Sequence, residues 1–328
     1  MSDERLLDGS SGLSHEIYLA EVEKYIEQFP LVTLEAGGEG AEARNRESLS
    51  HFIENLSGLY LNSAVAYAWG RSSDPKVLSR LNGVPKERYA SFMGETPSLR
   101  FMPDFIRALQ ERGGGDILSQ RTVEQKAIVG CGVTVTLAVE LLRKSGVSAF
   151  AVPGFVGGEK PYLPKAKNKL GEDYRYMGHW VVQYFDPLNK EWRYMDIERR
   201  SIDAYNAKHP DPQSQIDPMN LRSAFVPASE VLSNLGNFPD DLEGSFFVGM
   251  PAGERGIAAI IRQFSNQYRS LTEKPPYYGF NFSNPSLDDL RRLIYFAGMR
   301  RDSPRGVSVE GLRELVSRLS LTFTDTLS

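Results

Sequence analysis

One segment, from Val129 to Gly146, constrains this chain more than any other. It reads Val-Gly-Cys-Gly-Val-Thr-Val-Thr-Leu-Ala-Val-Glu-Leu-Leu-Arg-Lys-Ser-Gly. Its first half alternates like a strand. Its second half ends like a helix, with cations in the last turn and Gly146 as the stop. A helix accounts for that ending, and it would be apolar nearly all round. Such a helix has to be buried, and burial overrides the propensity cost of its β-branched residues. The rest of the chain is therefore expected to wrap around it. At its N-terminal end stands Cys131, the one cysteine in 328 residues.

Length allows one large domain or two ordinary ones, with a substantial core. The formal charge of −4 is spread along the chain. That argues against a dedicated nucleic-acid or anionic-membrane surface, since both need a basic patch. A single cysteine excludes an internal disulfide and a cysteine-based metal cluster. The N-terminus lacks the apolar stretch of a signal peptide. No apolar run approaches the ~20 residues of a membrane span. A cytoplasmic protein is expected, and a free thiol suits a reducing compartment.

Residues 1–115 read as a mainly helical region, with a polar, disordered start over 1–13. Helices are predicted from Glu16 to Phe29, from about Glu47 to Trp69, from Pro75 to Leu81 and from Pro103 to Glu111. A Gly/Glu/Ala-rich loop is predicted over 34–45. Residues 116–250 carry the buried helix, a strand from Val147 to Val156, and a hairpin of His179–Phe185 and Trp192–Ile197. The segment 157–178 reads as a long basic loop, and 198–220 as polar loop. Residues 251–328 read as a helical C-terminal region, with helices at Ala252–Leu271, Ser286–Met299 and Val309–Leu319 around an aromatic stretch at 277–282. All three regions are expected to form one compact domain.

A thiol near neutral pH is mostly protonated. Helix N-terminal amides and the macrodipole favour the thiolate at such a position, and the same amides can stabilise an oxyanion. Gly130 and Gly132 leave room for a substrate carbonyl. Against this stands the ordinary role of a lone cysteine, a small buried hydrophobe. The histidines weigh on the other side. Of four, only His179 opens a strand. Asp186-Pro-Leu-Asn189 fits a type I turn. Pairing Asp186 with Asn189 sets His179 opposite Asp196 on one face of the hairpin, ~5 Å apart at Cβ. A one-residue slip would separate them. Cys131, His179 and Asp196 are thus the candidate catalytic residues: nucleophile, general base and orienting carboxylate. Gln125, with the Cys131 backbone amide, is the candidate oxyanion donor, although a glutamine on a solvated helix face is commoner. Gly130, Trp180 and Tyr194 flank the triad as candidate substrate contacts.

These residues resemble the transglutaminase-like superfamily. The likeness rests on Cys131 opening a helix, Leu141-Leu-Arg-Lys-Ser-Gly-Val ending it, a strand through Val152-Pro-Gly-Phe, then Gly178-His-Trp and Trp192-Arg-Tyr-Met-Asp196. It covers roughly residues 121–198. It departs where Gly130 adjoins Cys131 directly, and where Ser148-Ala-Phe150 replaces the family's Pro-Ala-Arg, a difference that bears on substrate preference. The resemblance implies an α+β, papain-like core. An antiparallel sheet would pack on the cysteine-bearing helix, with helical extensions at both ends.

It also implies cysteine acyl transfer, from an amide or thioester to an amine through an acyl-Cys131 intermediate. No cofactor and no metal are expected. Compact members without extra β-domains favour small-molecule, peptide or carrier-bound substrates over protein crosslinking. A cysteine hydrolase (peptidase, amidase or deamidase) on the same triad is the alternative, and a non-catalytic binding module of the same fold is the second. The basic loop 157–178 could meet an acidic partner such as a carrier protein, but a solvated hairpin loop is the simpler account. Paired acids at Asp240-Asp241 and Asp288-Asp289 read as helix-start charges, not a calcium loop.

Overall fold

A computed structural model describes residues 23–24, 26–62, 102–113, 121–122, 125–163, 173–233, 242–248, 254–256, 259–260 and 263. The helices expected at Pro75–Leu81, Ser286–Met299 and Val309–Leu319, the 277–282 stretch, the paired acids and residues 164–172 lie outside these. So do most of the Glu16–Phe29 helix and residues 1–13.

Among the described residues, fourteen elements and one 3₁₀ turn follow in chain order. They are α1 (Ala41–Leu59), β1 (Tyr60–Asn62), α2 (Met102–Gly113), β2 (Ala127–Val129), α3 (Cys131–Lys144), β3 (Ala149–Gly157), β4 (Tyr176–Asp186), β5 (Glu191–Met195), α4 (Arg199–Asn206), the 3₁₀ turn Leu221–Ser223, β6 (Phe225–Pro227), α5 (Ala228–Ser233), α6 (Leu242–Ser245), β7 (Phe246–Val248) and β8 (Glu254–Arg255). The architecture is α+β.

The predicted central helix is α3. Val133, Val135, Leu137, Ala138, Val139, Leu141 and Leu142 are all buried, so it is buried on several faces, as its apolar circumference requires. It ends in a Schellman motif. Gly146 takes φ 78°, its N–H donates to Arg143 O at 2.9 Å, and the Val147 N–H donates to Leu142 O at 2.9 Å. A left-handed φ is where glycine is favoured.

The main sheet has the order β6-β3-β4-β7-β8, with β5 on β4 beside β7. It is mostly antiparallel, but β4 and β7 pair in parallel through Tyr176–Phe246 and Met177–Phe247. Apart from that short parallel pair the sheet is antiparallel, as expected. A separate two-stranded parallel sheet joins β1 to β2, so the N-terminal region contributes a strand as well as helices. Alternation along β4 sends Val182 and Tyr184 to a large core with α1, α2 and α3. Val181 goes to a second core with Tyr162, Ile202, Tyr205 and Phe225. The large core runs from Ile26 to Met219 in the sequence, so the helical N-terminal region shares it with α3.

Several boundaries differ from expectation. α1 starts at Ala41, inside the predicted loop, because Asn45 ties the chain back. Its Oδ1 accepts the Glu35 N–H at 2.7 Å and its Nδ2 donates to Glu35 O at 2.9 Å. α1 also stops at Leu59, where β2 recruits Tyr60–Asn62 as a strand. Residues 199–206, expected as loop, form α4, which buries Ser201, Ile202 and Tyr205. Glu254–Arg255, expected to be helical, pairs with β7, while Gly256, Ala259, Ile260 and Gln263 are helical. The polar loop 157–178 is shorter than expected, because β4 already begins at Tyr176.

Candidate active site

Cys131 is the first residue of α3, and only Gly130 separates it from β2. Gly130, at the N-cap, is extended (φ −72°, ψ 151°) and supplies no side-chain cap. The amides of Cys131 and Gly132 have no acceptor within the helix, because its ladder has not yet begun. The Val133 N–H donates to Gly130 O at 3.1 Å. Cys131 is half-buried.

His179 lies in β4, 2% exposed, and Asp196 just beyond β5, 0% exposed. Nε2 of His179 is 2.8 Å from Oδ2 of Asp196. The Cys131 side chain lies beside the same imidazole, near enough to help hold its proton. The chain thus brings Cys131, His179 and Asp196 together in that order.

The hairpin reaches this arrangement by a different register from the predicted one. Asp186 pairs with Glu191, and Val182 with Met195. The loop is Pro187–Lys190, with Lys190 left-handed at φ 55°. The Asp-Pro-Leu-Asn turn does form. Oδ1 of Asp186 accepts the Leu188 N–H at 3.0 Å, and the Asn189 side chain donates to Oδ2 at 2.8 Å. It forms inside a longer loop, so the register moves by two residues. A shift of two leaves every side chain on its original face, and His179 meets Asp196 on a diagonal instead of directly opposite.

Asp196 is held on all sides. Its backbone N–H donates to Pro218 O at 2.8 Å. Oδ1 accepts the Glu198 N–H at 2.8 Å, and Oδ2 also accepts the Tyr162 hydroxyl. Burial alone would raise this carboxyl. The His179 charge and these donors outweigh burial and hold it below the ordinary carboxylate range. Burial would likewise depress His179, but the Asp196 charge and hydrogen bond, with a smaller contribution from Cys131, lift it well above an ordinary imidazole. The pair is an imidazolium–carboxylate couple in a dry setting.

Sequence reasoning missed two tyrosines beside the pair. Tyr162 is 5% exposed, and its ring meets the His179 ring edge-on at 6.3 Å between centroids. Tyr60, 4% exposed, donates to Ile197 O at 3.3 Å. Burial first, and the nearby Asp196 and Glu198 carboxylates with it, push both phenols far up, so both stay neutral donors. In the sequence Tyr162 is one aromatic between two prolines in a polar loop, which carries no periodic signal.

The other candidates lie as follows. Gln125 turns its side-chain oxygen back to the Thr122 N–H at 3.0 Å, so that end is committed to its own turn. Trp180 packs, half-buried, against the large core. Tyr194 packs on Phe225 at 5.4 Å between centroids in the second core, one pair along the ladder from Val182–Met195. Lys160 of the basic loop is engaged, its Nζ donating to Gln213 O and Gln215 O at 2.9 and 3.0 Å.

Among the described residues no group of three or more His, Cys, Asp or Glu side chains is placed to hold a metal ion. No described helix is long and apolar enough to cross a membrane. Comparison of the chain with protein-family models, with characterised proteins and with solved structures gave no match.

Proposed function

We propose that this protein is a cysteine acyltransferase with a transglutaminase-like core. The thiol proton rests on His179, giving a thiolate–imidazolium pair, and the Cys131 thiolate attacks an amide or thioester carbonyl. The leaving amine or thiol departs with a proton from His179, giving an acyl-Cys131 intermediate. An amine then attacks that intermediate, its proton passing to the now neutral His179, and the Cys131 thiolate leaves. The Cys131 and Gly132 amides, at the uncapped start of α3, serve the oxyanion. The observation that carries this reading is Cys131, at the start of α3, beside an imidazole that the buried Asp196 carboxylate holds at 2.8 Å.

Two features support the family-level fold. The cysteine opens a helix packed on an antiparallel strand pair, with His179 in β4 and Asp196 one residue past the end of β5. A half-buried cysteine at a helix start suits small-molecule, peptide or carrier-bound acyl groups. The test is intact-mass spectrometry after incubation with a panel of acyl thioesters and amides, in wild type and Cys131→Ser. A mass increase equal to the acyl group, discharged faster by added amines than by water, supports transfer. Discharge at the same rate in water alone makes the protein a hydrolase. No adduct from any donor leaves a binding module.

A further inference from the structure

We propose that Tyr162 is a positioning residue of the triad: its hydroxyl holds the Asp196 carboxylate and sets how tightly that carboxylate grips the proton on His179. The inference rests on the Cys131–His179–Asp196 reading and deepens it.

Three observations carry it. The Tyr162 hydroxyl and the His179 Nε2 converge on one oxygen, Oδ2 of Asp196. The Tyr162 ring stands edge-on to the imidazole at 86°, so a single side chain touches both members of the pair. The segment 158–163 is also fastened as a strap. Gly158 enters at φ 68°, with its N–H donating to Arg175 O at 3.3 Å. Lys160 is clamped by the Gln213 and Gln215 carbonyls. Tyr162 and Leu163 are then buried in the second core. A donor so placed is fixed, unlike a water molecule in the same position.

The charged and titratable groups around the pair come from every element packed on it. Cys131 comes from α3, Tyr60 from β1, Tyr162 from the strap, and Glu198 from the chain after β5. Lys126 in turn lies near both Glu198 and Arg200. Of these, Tyr162 and the Glu198 backbone donate to Asp196. A carboxylate with one donor fewer binds its remaining proton partner more strongly. Removing the hydroxyl therefore makes His179 hold its proton to higher pH. That makes it a poorer acid toward the leaving group.

The test is an NMR titration of the His179 ring in wild type, Tyr162→Phe and Lys160→Met, with His179→Ala to assign the signal among the four histidines. Tyr162→Phe should titrate at higher pH than wild type. Lys160→Met, which unfastens the strap without touching the triad, should move the midpoint the same way by less. A folded Tyr162→Phe that titrates like wild type overturns the role of Tyr162. Should that variant fail to fold, an unmoved Lys160→Met overturns it instead. The triad reading is judged separately, by iodoacetamide alkylation of Cys131 in His179→Ala. Slowed alkylation with an unmoved titration sinks only the Tyr162 role, and unslowed alkylation sinks both.

Discussion

At its C-terminal end α3 is closed on every side. The Schellman bonds take the Leu142 and Arg143 carbonyls. The Ser145 hydroxyl accepts the Val32 N–H and donates to Leu141 O, each at 2.9 Å. Lys144 Nζ reaches Ile26 O at 2.6 Å, and Arg143 Nε reaches Ala149 O at 2.9 Å. At its N-terminal end the same helix begins on a glycine with no side-chain cap, although Ser, Thr, Asp or Asn is the usual choice there. One end follows every local rule for helix stability. The other leaves its amides for something that is not part of the helix, and Cys131 sits among them. Local rules broken at one place and kept elsewhere are the mark of a site that function shapes.

The contrast can be tested by mutating each region and reading stability and thiol reactivity separately. The largest effect is expected at Asp196. Asp196→Ala leaves a buried imidazole without its partner and should cost about 3–5 kcal/mol of stability, measured by urea unfolding. The pair also dictates a pH dependence. The carboxyl of Asp196 is lowered in the fold, so its contribution is present above the unfolded value of about 3.9 and is lost as pH falls through the folded one. His179 is raised, so its contribution is complete below about 6.5 and is lost as pH rises through the folded value. Thermal midpoints against pH should show both limbs in wild type, and Asp196→Asn should flatten both. An unchanged profile would mean that the pair is not coupled as described.

Leu142→Ala comes next. Leu142 is 0% exposed in the large core, and its truncation should cost about 2–5 kcal/mol. The folded variant should alkylate at the wild-type rate, and a slowed rate would show that the helix body and its start are not separable. Gly146→Ala should cost about 1–2 kcal/mol. No atom lies within 4 Å of the added Cβ, so this cost is purely that of the left-handed backbone. The smallest effect on stability belongs to Gly130→Asp. A proper N-cap should gain a few tenths of a kcal/mol, while its carboxylate occupies the amides and repels a thiolate. Stability and reactivity should therefore move in opposite directions, whereas parallel movement would erase the contrast between the two ends.

Much of this site was legible in the sequence, for physical reasons that can be named. Cations followed by Gly146 fixed the end of α3, and an apolar circumference required burial. The alternation of the hairpin put His179 and Asp196 on one face. That conclusion survived an error of two residues in register only because the side-chain period of a strand is two. An error of one would have destroyed it. Lys190 caused the shift, by adopting a left-handed φ that no glycine or asparagine announced.

Other features were invisible because tertiary contacts decide them. Tyr60 and Tyr162 approach Asp196 from positions 136 and 34 residues away in number, and neither belongs to a periodic pattern. α4 is short, and its burial on the second core outweighs the polar composition that made it look like loop. Gly178 shows the same limit. A Cβ there would come within 2.7 Å of Val248 and 2.8 Å of Gln263, and Gln263 also donates to Gly154 O at 3.0 Å, beside the His179 strand. No local signal reveals that close approach.

The central claim is that His179 activates Cys131. Its most direct measurement is the rate of Cys131 alkylation by iodoacetamide near pH 6.5, about two units below the ordinary ~8.5 of a free thiol, in wild type and in His179→Ala. With one cysteine in the chain, the signal has a single source. An imidazolium held beside the thiol predicts that wild type reacts about ten- to a hundredfold faster than His179→Ala. Equal rates in the two proteins would contradict the account, and the three residues would then be neighbours without a shared chemistry.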